Sequence, residues 1–447
     1  MRKLPGVHVP HRKNTATQPA QRLPIPPEVR IPMAMHIGAP AKVTVSAGDE
    51  VKVGQLIGEA AGFVSSPVHS SVSGKVKAIE EQDAATGDKG TFVVIETDGL
   101  QTPADGITPP TVTSMEDFIA AARDSGIVGL GGAGFPTAVK LTVKDVSAVE
   151  YIIINGAECE PYITSDTRTM IDDAEALWEG VRLIHRFFDA RAIYVAVEDN
   201  KPEAIKRLGA IAEREPIAQL RPLPSVYPQG GEKVLIYNLT GRIVPEGKLP
   251  LDVGCIVINC TTLAALAKYI ATGMPLVEKR VTVDGSAVKN PMNLIAPIGT
   301  PISALLEHCS VPTEPGKDGV GKILLGGPMM GVAVPDASAP IKKSTNAVTV
   351  LNERDARVPE PSACIRCGNC VTHCPLGLMT VDIQSTYLAG KIEFIGVYRP
   401  NLCMECGCCT FSCPARRPLT QYMKLAKAAL RDYEAAQKAQ KEKGGAA

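Results

Sequence analysis

The sequence has no net charge, because 47 Lys and Arg balance 47 Asp and Glu. A nucleic-acid-binding domain shows a basic excess, so no nucleic-acid partner is expected. No apolar run approaches the roughly 20 residues needed to cross a bilayer. The start, MRKLPGVHVPHRKNTATQP, has basic residues but no apolar stretch behind them, so a secretory signal is not expected either. These absences predict a protein of the cytoplasmic side that meets a membrane only peripherally. The remaining composition is that of a protein with packed cores: 447 residues, 45% hydrophobic and 21% charged. That length suggests about three domains.

The chain changes character along its length. Residues 1–30 are rich in Pro and basic residues and read as an extended arm. Residues 31–105 hold short Val/Ile strands separated by Gly, a small β-domain. Within it, GDEVKVGQLIGE followed by SGKV resembles the hammerhead of biotinyl and lipoyl carriers. Such carriers need a lysine at the tip of the central hairpin. The tip here reads GFVSSPV and has none, so the fold is expected without the carrier chemistry. After a Pro/Thr linker, Ser114 is placed to cap a helix starting MEDF. Helices then alternate with apolar strands over 112–250, which predicts α/β layering around a largely parallel sheet. Residues 251–345 read as a small α+β module, with KRVTVDGSAV as a hairpin turning at Asp284-Gly285. Cysteines fill 355–425, and 426–447 is a polar helical tail with a solvated face.

Thirteen cysteines are present, and eight obey one rule twice. Cys364, Cys367, Cys370 and Cys374 precede Pro375, and Cys403, Cys406, Cys409 and Cys413 precede Pro414. C-x-x-C-x-x-C-x-x-x-C-P is the spacing of ferredoxins with two 4Fe-4S clusters, in which the fourth cysteine of each run serves the other cluster. One cluster is therefore expected on Cys364, Cys367, Cys370 and Cys413. The other is expected on Cys403, Cys406, Cys409 and Cys374. Cys408 falls outside the spacing and is a non-ligand. Zinc knuckles do not require this third and fourth cysteine, and disulfides suit a reducing compartment poorly.

Upstream lies GIVGLGGAGFPTAVKL at 126–141. A glycine cluster entering a helix can bring backbone N–H groups to a phosphate, with Lys140 near by. YIIINGAECEP then delivers Asn155, Glu158 and Glu160 at a strand end, VYPQGGEK carries Glu232, and VINCTTLA ends a strand at Asn259. Polar strand ends of this kind line the ligand crevice of an α/β sheet.

These blocks, GLGGAGFPTAVKL, NGAECEP, YPQGGEK and INCTTLA, resemble in order the flavin-bearing NADH-dehydrogenase subunit of respiratory complex I. That family usually has a basic residue in place of Leu130 and Asn-Ala-Asp-Glu in place of NGAE. From HIGAPAKVTVSAGDEVKVGQ to CPARRPLTQYMKLAK, about residues 5–427, the chain resembles the RnfC family of Rnf electron-transport complexes. The resemblance implies a peripheral, membrane-associated oxidoreductase subunit on the cytoplasmic face. It would exchange electrons between NAD(H) and the other subunits of an ion-pumping complex that communicates with ferredoxin. It implies FMN held near Gly129, Gly131, Gly132, Lys140, Asn155, Glu158 and Asn259, with Glu232 in the equivalent acidic position of the third block. It places Phe135 and Glu160 on the nicotinamide side, and a soluble-ligand-binding β-grasp module after residue 250. A hydride carries two electrons and a cluster takes one, so a flavin belongs between them. The rival readings are a cobalamin-reductase-type protein and an electron relay whose nucleotide crevice stays empty.

Overall fold

The computed structural model describes residues 4–83, 89–312 and 319–444. Residues 1–3 of the arm and 445–447 of the tail lie outside the described residues. The chain forms two compact units. The first is His11–Pro224 with Gly254–Arg357, and the second is Met1–Pro10, Ser225–Val253 and Val358–Ala447.

In the first unit, β1 (Glu28–Pro32), β2 (Gly74–Asp83) and β3 (Lys89–Thr97) pair antiparallel, with β3 between the other two. Val29 and Ile31 of β1 point inward at 0% exposure, the period of two that a half-buried strand requires. The expected carrier tip is not displayed. Phe63 is exposed, but Ser65, Ser66, Val68, His69, Ser70 and Ser71 are buried. The buried Lys343 ammonium donates to the carbonyls of Pro67 and Gly126, and Ser71 Oγ donates to the Ile298 carbonyl. The hairpin tip thus packs within the first unit, against Gly126, Ile298 and Lys343.

The next layer supports the candidate crevice. Helix α1 (Met115–Asp124) starts at Ser114 with a reciprocal capping box to Asp117, as the sequence predicts. The short α2 (Thr137–Leu141) follows the glycine loop. Then β4 (Tyr151–Gly156), α3 (Ser165–Asp172), α4 (Ala174–Phe187), β5 (Ala192–Glu198), α5 (Pro202–Arg214) and β6 (Gln219–Leu223) alternate. In the second unit α6 (Glu232–Thr240) intervenes before β7 (Cys255–Asn259) and α7 (Cys260–Thr272) return to the first. The sheet order is β6-β5-β4-β7, all parallel. Helix α4 buries Ala174, Leu177, Trp178, Val181 and Ile184, a stripe at helical spacing.

A six-stranded sheet completes the unit. It contains β8 (Glu278–Asp284), β9 (Met292–Pro297), β10 (Val320–Leu325), β11 (Val332–Val334) and β12 (Ala347–Asn352), with Gln21–Arg22 of the arm added on β9. The expected hairpin forms between β8 and β9, but its turn is the longer connection 285–291 and not Asp284-Gly285 alone. Gly285 is needed for another reason: its φ is +134° and a side chain there would strike the Val350 carbonyl.

The second unit is helical around the cysteines. Its last helix, Leu419–Gly444, buries Leu419, Met423, Ala426 and Leu430 at successive turns. Met423, Ala426 and Leu430 pack with Ile383 and Ile395 into a small core.

Candidate functional site

Strand β4 runs on to β5 and β6 on one side, while β7 lies on its other side. The order reverses between β4 and β7, and a parallel sheet opens its ligand crevice at the carboxyl ends of such a pair. Those ends carry Asn155 and Asn259, which are register partners across the two strands. The predicted residues from separate blocks thus meet at one switch point.

The glycine loop closes on itself first. Gly129 N–H donates to the Phe135 carbonyl, Gly134 N–H to the Gly129 carbonyl, and Leu130 N–H to Thr262 Oγ1 at the start of α7. The amides of Gly131, Gly132 and Ala133 make no hydrogen bond among the described residues, and all three residues are exposed. Consecutive free amides in a turn form an anion-binding concavity, so the loop fits a phosphate. Gly131 must be glycine here, because a Cβ would lie 2.7 Å from Asn259 Nδ2.

Behind this front runs a buried polar chain. Asn259 caps α7 by accepting from Thr262 N–H, and its Nδ2 donates to Asp166 Oδ2 at 2.7 Å. Asp166 N–H in turn donates to Glu158 Oε1 at 2.7 Å, and Thr167 Oγ1 donates to Glu158 Oε2 at 2.6 Å. Burial, then the Glu158 charge, pushes the Asp166 carboxyl up. Glu158, expected at the flavin, is 6% exposed and spends both oxygens on the first turn of α3. Lys140, expected at the phosphate, donates to the Val257 carbonyl of β7 at 2.8 Å. Asn155 Oδ1 accepts from Ala157 N–H and turns the chain out of β4.

Glu160 stands further along the same loop, where its Oε2 accepts from Met329 N–H. Phe135 is half-buried beside the glycine loop. Glu232 is the first residue of α6 and belongs to the second unit, not to the unit of the glycine loop. The sequence reading missed Lys13. Its buried ammonium donates to the carbonyls of Glu158, Glu160 and Ile163 at 2.6–2.8 Å and clamps the loop that carries both acids. Nothing in the arm's local pattern signals a contact so far along the chain.

In the second unit the two cysteine runs repeat in backbone as well as in sequence. Arg366 and Glu405 have φ of 56° and 59°, and Gly368 and Gly407 have φ of 80° and 84°. Arg366 N–H donates to Cys364 Sγ at 3.4 Å, and Glu405 N–H to Cys403 Sγ at 3.3 Å. Each loop then enters a four-residue helix, Asn369–Thr372 or Cys408–Phe411. Cys374 lines one pocket together with Cys403, Cys406 and Cys409, the cross-run set expected for one cluster. Among the described residues no three or more metal-binding side chains close to the spacing of a single ion; these four thiols stand around a space instead. Burial pushes Cys403 up to about 12 and Cys409 up to about 11, so these are thiols until iron displaces their protons. N–H···S donors and four cysteine sulfurs around one space fit an iron–sulfur cluster. Cys408 also borders the pocket, with its Sγ 3.9 Å from the Tyr227 carbonyl. Cys364 and Cys367 are exposed, while Cys374, Cys406 and Cys409 are buried. Tyr227, from the third motif block, donates its hydroxyl to the Cys406 carbonyl at 2.6 Å.

Four families match the chain in order. They are the RnfC barrel sandwich hybrid domain at residues 3–100, the Nuo51 FMN-binding domain at 122–268, the SLBB domain at 280–333 and the 4Fe-4S dicluster domain at 363–416. A relative from Acetobacterium woodii, named as a component of a Na(+)-translocating ferredoxin:NAD(+) oxidoreductase complex, is 42% identical over 85% of this chain and 85% of its own. The chain belongs to the RnfC family of ion-translocating oxidoreductase complexes. A second member, from the proton-translocating ferredoxin:NAD(+) oxidoreductase complex of Clostridium ljungdahlii, is 40% identical over 83% of this chain and 81% of its own. A third, from the ion-translocating oxidoreductase complex of Pseudomonas aeruginosa, is 38% identical over 96% of this chain but only 55% of its own length. Two solved structures of an NAD+-reducing NiFe hydrogenase, air-oxidized and H2-reduced, show TM-scores of 0.48 and 0.46 at 22% and 21% identity. Each covers 66% of this chain, and 57% and 53% respectively of the hydrogenase chain is matched. Among the described residues no helix is long and apolar enough to cross a membrane.

Proposed function

We propose that this chain is the NAD(H)-facing member of an ion-translocating ferredoxin:NAD oxidoreductase complex. It exchanges a hydride with NAD(H) at FMN, and single electrons pass through two 4Fe-4S clusters to or from the other subunits. The observation that carries this reading is the convergence of Cys374 with Cys403, Cys406 and Cys409 on one pocket, in a chain whose α/β switch point is lined by Asn155 and Asn259. Bound FMN converts a two-electron exchange into single-electron steps. The amides of Gly131 and Gly132 hold its phosphate, with Gly129 closing the loop from behind. Asn155 and Asn259 line the isoalloxazine crevice. Lys140 and Glu158 act by fixing β7 and α3, and Lys140 adds positive charge behind the loop. Phe135 and Glu160 face the nicotinamide. Cys364 and Cys367 are exposed, so the cluster they hold is the one that meets a neighbouring protein of the complex. A barrel-sandwich hammerhead and a β-grasp module brace the crevice, and the protein sits peripherally on the cytoplasmic face of its membrane complex.

The test is anaerobic. The full chain, reconstituted with iron, sulfide and FMN, is mixed with NADH while flavin bleaching and the cluster EPR signal are followed. Flavin bleaching followed by cluster reduction is expected. A chain that holds both clusters and FMN yet is not reduced by NADH would refute the NAD(H) assignment and favour an electron relay.

A further inference from the structure

Leu130, the buried residue of the glycine loop, also lines a second cleft of about 630 Å³ that no motif explains. That volume lies in the range of small-molecule sites. All of its lining belongs to the first unit. One wall is α7, which presents Thr261, Ala264, Ala265 and Lys268 in helical steps of three and four. The other carries Lys279 and Arg280 of β8, with Leu276 just before the strand.

The charges around the cleft do not cancel. Four cations line it, Arg22, Lys268, Lys279 and Arg280, against the carboxylates of Asp173 and Glu278. Arg22 pairs with Glu278 at 2.6 Å, while Lys268 and Arg280 share Asp173 at 2.7 and 3.0 Å. Lys279 has no carboxylate at ion-pair distance among the described residues, although the buried Asp166 and Glu158 carboxyls attract it from further off. It is 2% exposed, and among the described residues its one hydrogen bond is to the Leu130 carbonyl at 3.0 Å. An ammonium has three donors, so the other two lack protein acceptors. Burial pushes its pKa down to about 8. Arg280 Nε, on a side chain 9% exposed, and Gln101 Oε1 are also buried without a hydrogen-bond partner among the described residues. Unpaired buried polar groups concentrated on one cleft mark a place where a ligand completes the bonding.

We propose that this cleft binds a small amphipathic anion, a carboxylate on an apolar body, with the carboxylate at Lys279 and Arg280 and the apolar body along Ala264, Ala265 and Leu276. The site is separate from the NAD(H) assignment, since its readout is binding alone.

The probe is octanoate, titrated calorimetrically into the holo-chain, with octyltrimethylammonium as the cation of matched tail. Saturable binding of octanoate and none of the cation is expected. Ala265→Trp fills the apolar side, and Lys268→Glu reverses a charge on a side chain that is 53% exposed and so dispensable to the core. Each should weaken octanoate at least tenfold while the melting temperature stays near that of the parent. Equal binding of anion and cation would overturn the proposal. So would unchanged octanoate affinity in Lys268→Glu, whose cost to the fold is one largely exposed ion pair with Asp173.

Discussion

Replacing Glu158 with alanine should destabilise the first unit rather than empty the flavin crevice. The carboxylate accepts from Asp166 N–H at 2.7 Å, Thr167 Oγ1 at 2.6 Å and Thr167 N–H at 3.3 Å, all buried. Hydrogen bonds to a charged group contribute about 1.5–3 kcal/mol each. The two short ones alone are therefore worth about 3–6 kcal/mol. Against this, removing Glu158 relieves its repulsion of Asp166, on the order of 1–2 kcal/mol at partly screened separations. The net loss is about 3 kcal/mol, or roughly a 4–5 °C fall in melting temperature for a unit of about 320 residues. The chain's one tryptophan, Trp178, is buried in α4 of the same unit, so its fluorescence reports the transition directly. Melting should be followed with and without FMN. If Glu158→Ala melts with the parent and yet loses FMN, the side chain is a flavin contact and the capping argument fails.

Four further outcomes are expected. Lys140→Ala should lower FMN affinity by no more than about one decade, read as occupancy after gel filtration, because its ammonium is bonded to the Val257 carbonyl and reaches the phosphate only as charge through space. Glu160→Ala should keep FMN and slow stopped-flow bleaching by NADH; an empty flavin site in that variant would reverse the assignment of the two ends. Cys374→Ser should cost the cluster on Cys403, Cys406 and Cys409, and Cys408→Ser should cost neither, as judged by iron content and EPR. Burial, then Lys343, holds His69 down at about 3 against an ordinary 6.5. The unfolded chain therefore takes up a proton below pH 6.5 that the folded chain refuses. The His69 contribution to stability should fall by about 1.4 kcal/mol per pH unit through that window, or about 2 kcal/mol by pH 5, while Asp284, which burial pushes up to about 6, offsets part of it. Denaturant titrations of the parent and His69→Gln at pH 7 and 5 isolate the term: the parent should lose about 2 kcal/mol more than the variant.

The parts of the site that were legible in sequence are those set by local spacing. The cysteine runs declare themselves because both the wrapping of a cluster and the repeat of Arg366 with Glu405 and Gly368 with Gly407 are local. The strand ends at Asn155 and Asn259 were legible because apolar runs stop there. The roles behind them were not. Glu158 and Asn155 look alike from a strand end, and only the position of α3 tells a cap from a lining residue. Lys13 reads as one more basic residue in a proline-rich arm, and its three carbonyl partners lie far along the chain. Asp284-Gly285 has the composition of a hairpin turn, but the crowding of Gly285 against the Val350 carbonyl, a contact with another strand, determines its glycine.

The division of the chain bears on how the protein is made. Met1–Pro10 and Ser225–Val253 belong to the unit completed only by Val358–Ala447. At about 5–20 residues per second, the ribosome finishes residue 253 on the order of ten seconds or more before the cysteine runs and the last helix have emerged. Val7 and Tyr227 can pair early, through their reciprocal backbone hydrogen bonds. The Tyr227 hydroxyl must wait for Cys406, and Gly231 for Met404, whose methyl group sits where a side chain at 231 would be. A nascent chain stalled or cut ahead of Val358 is therefore not a finished flavin domain with a missing appendage. It carries two unfinished segments, one at its very start and one in its middle, that only the last ninety residues can satisfy.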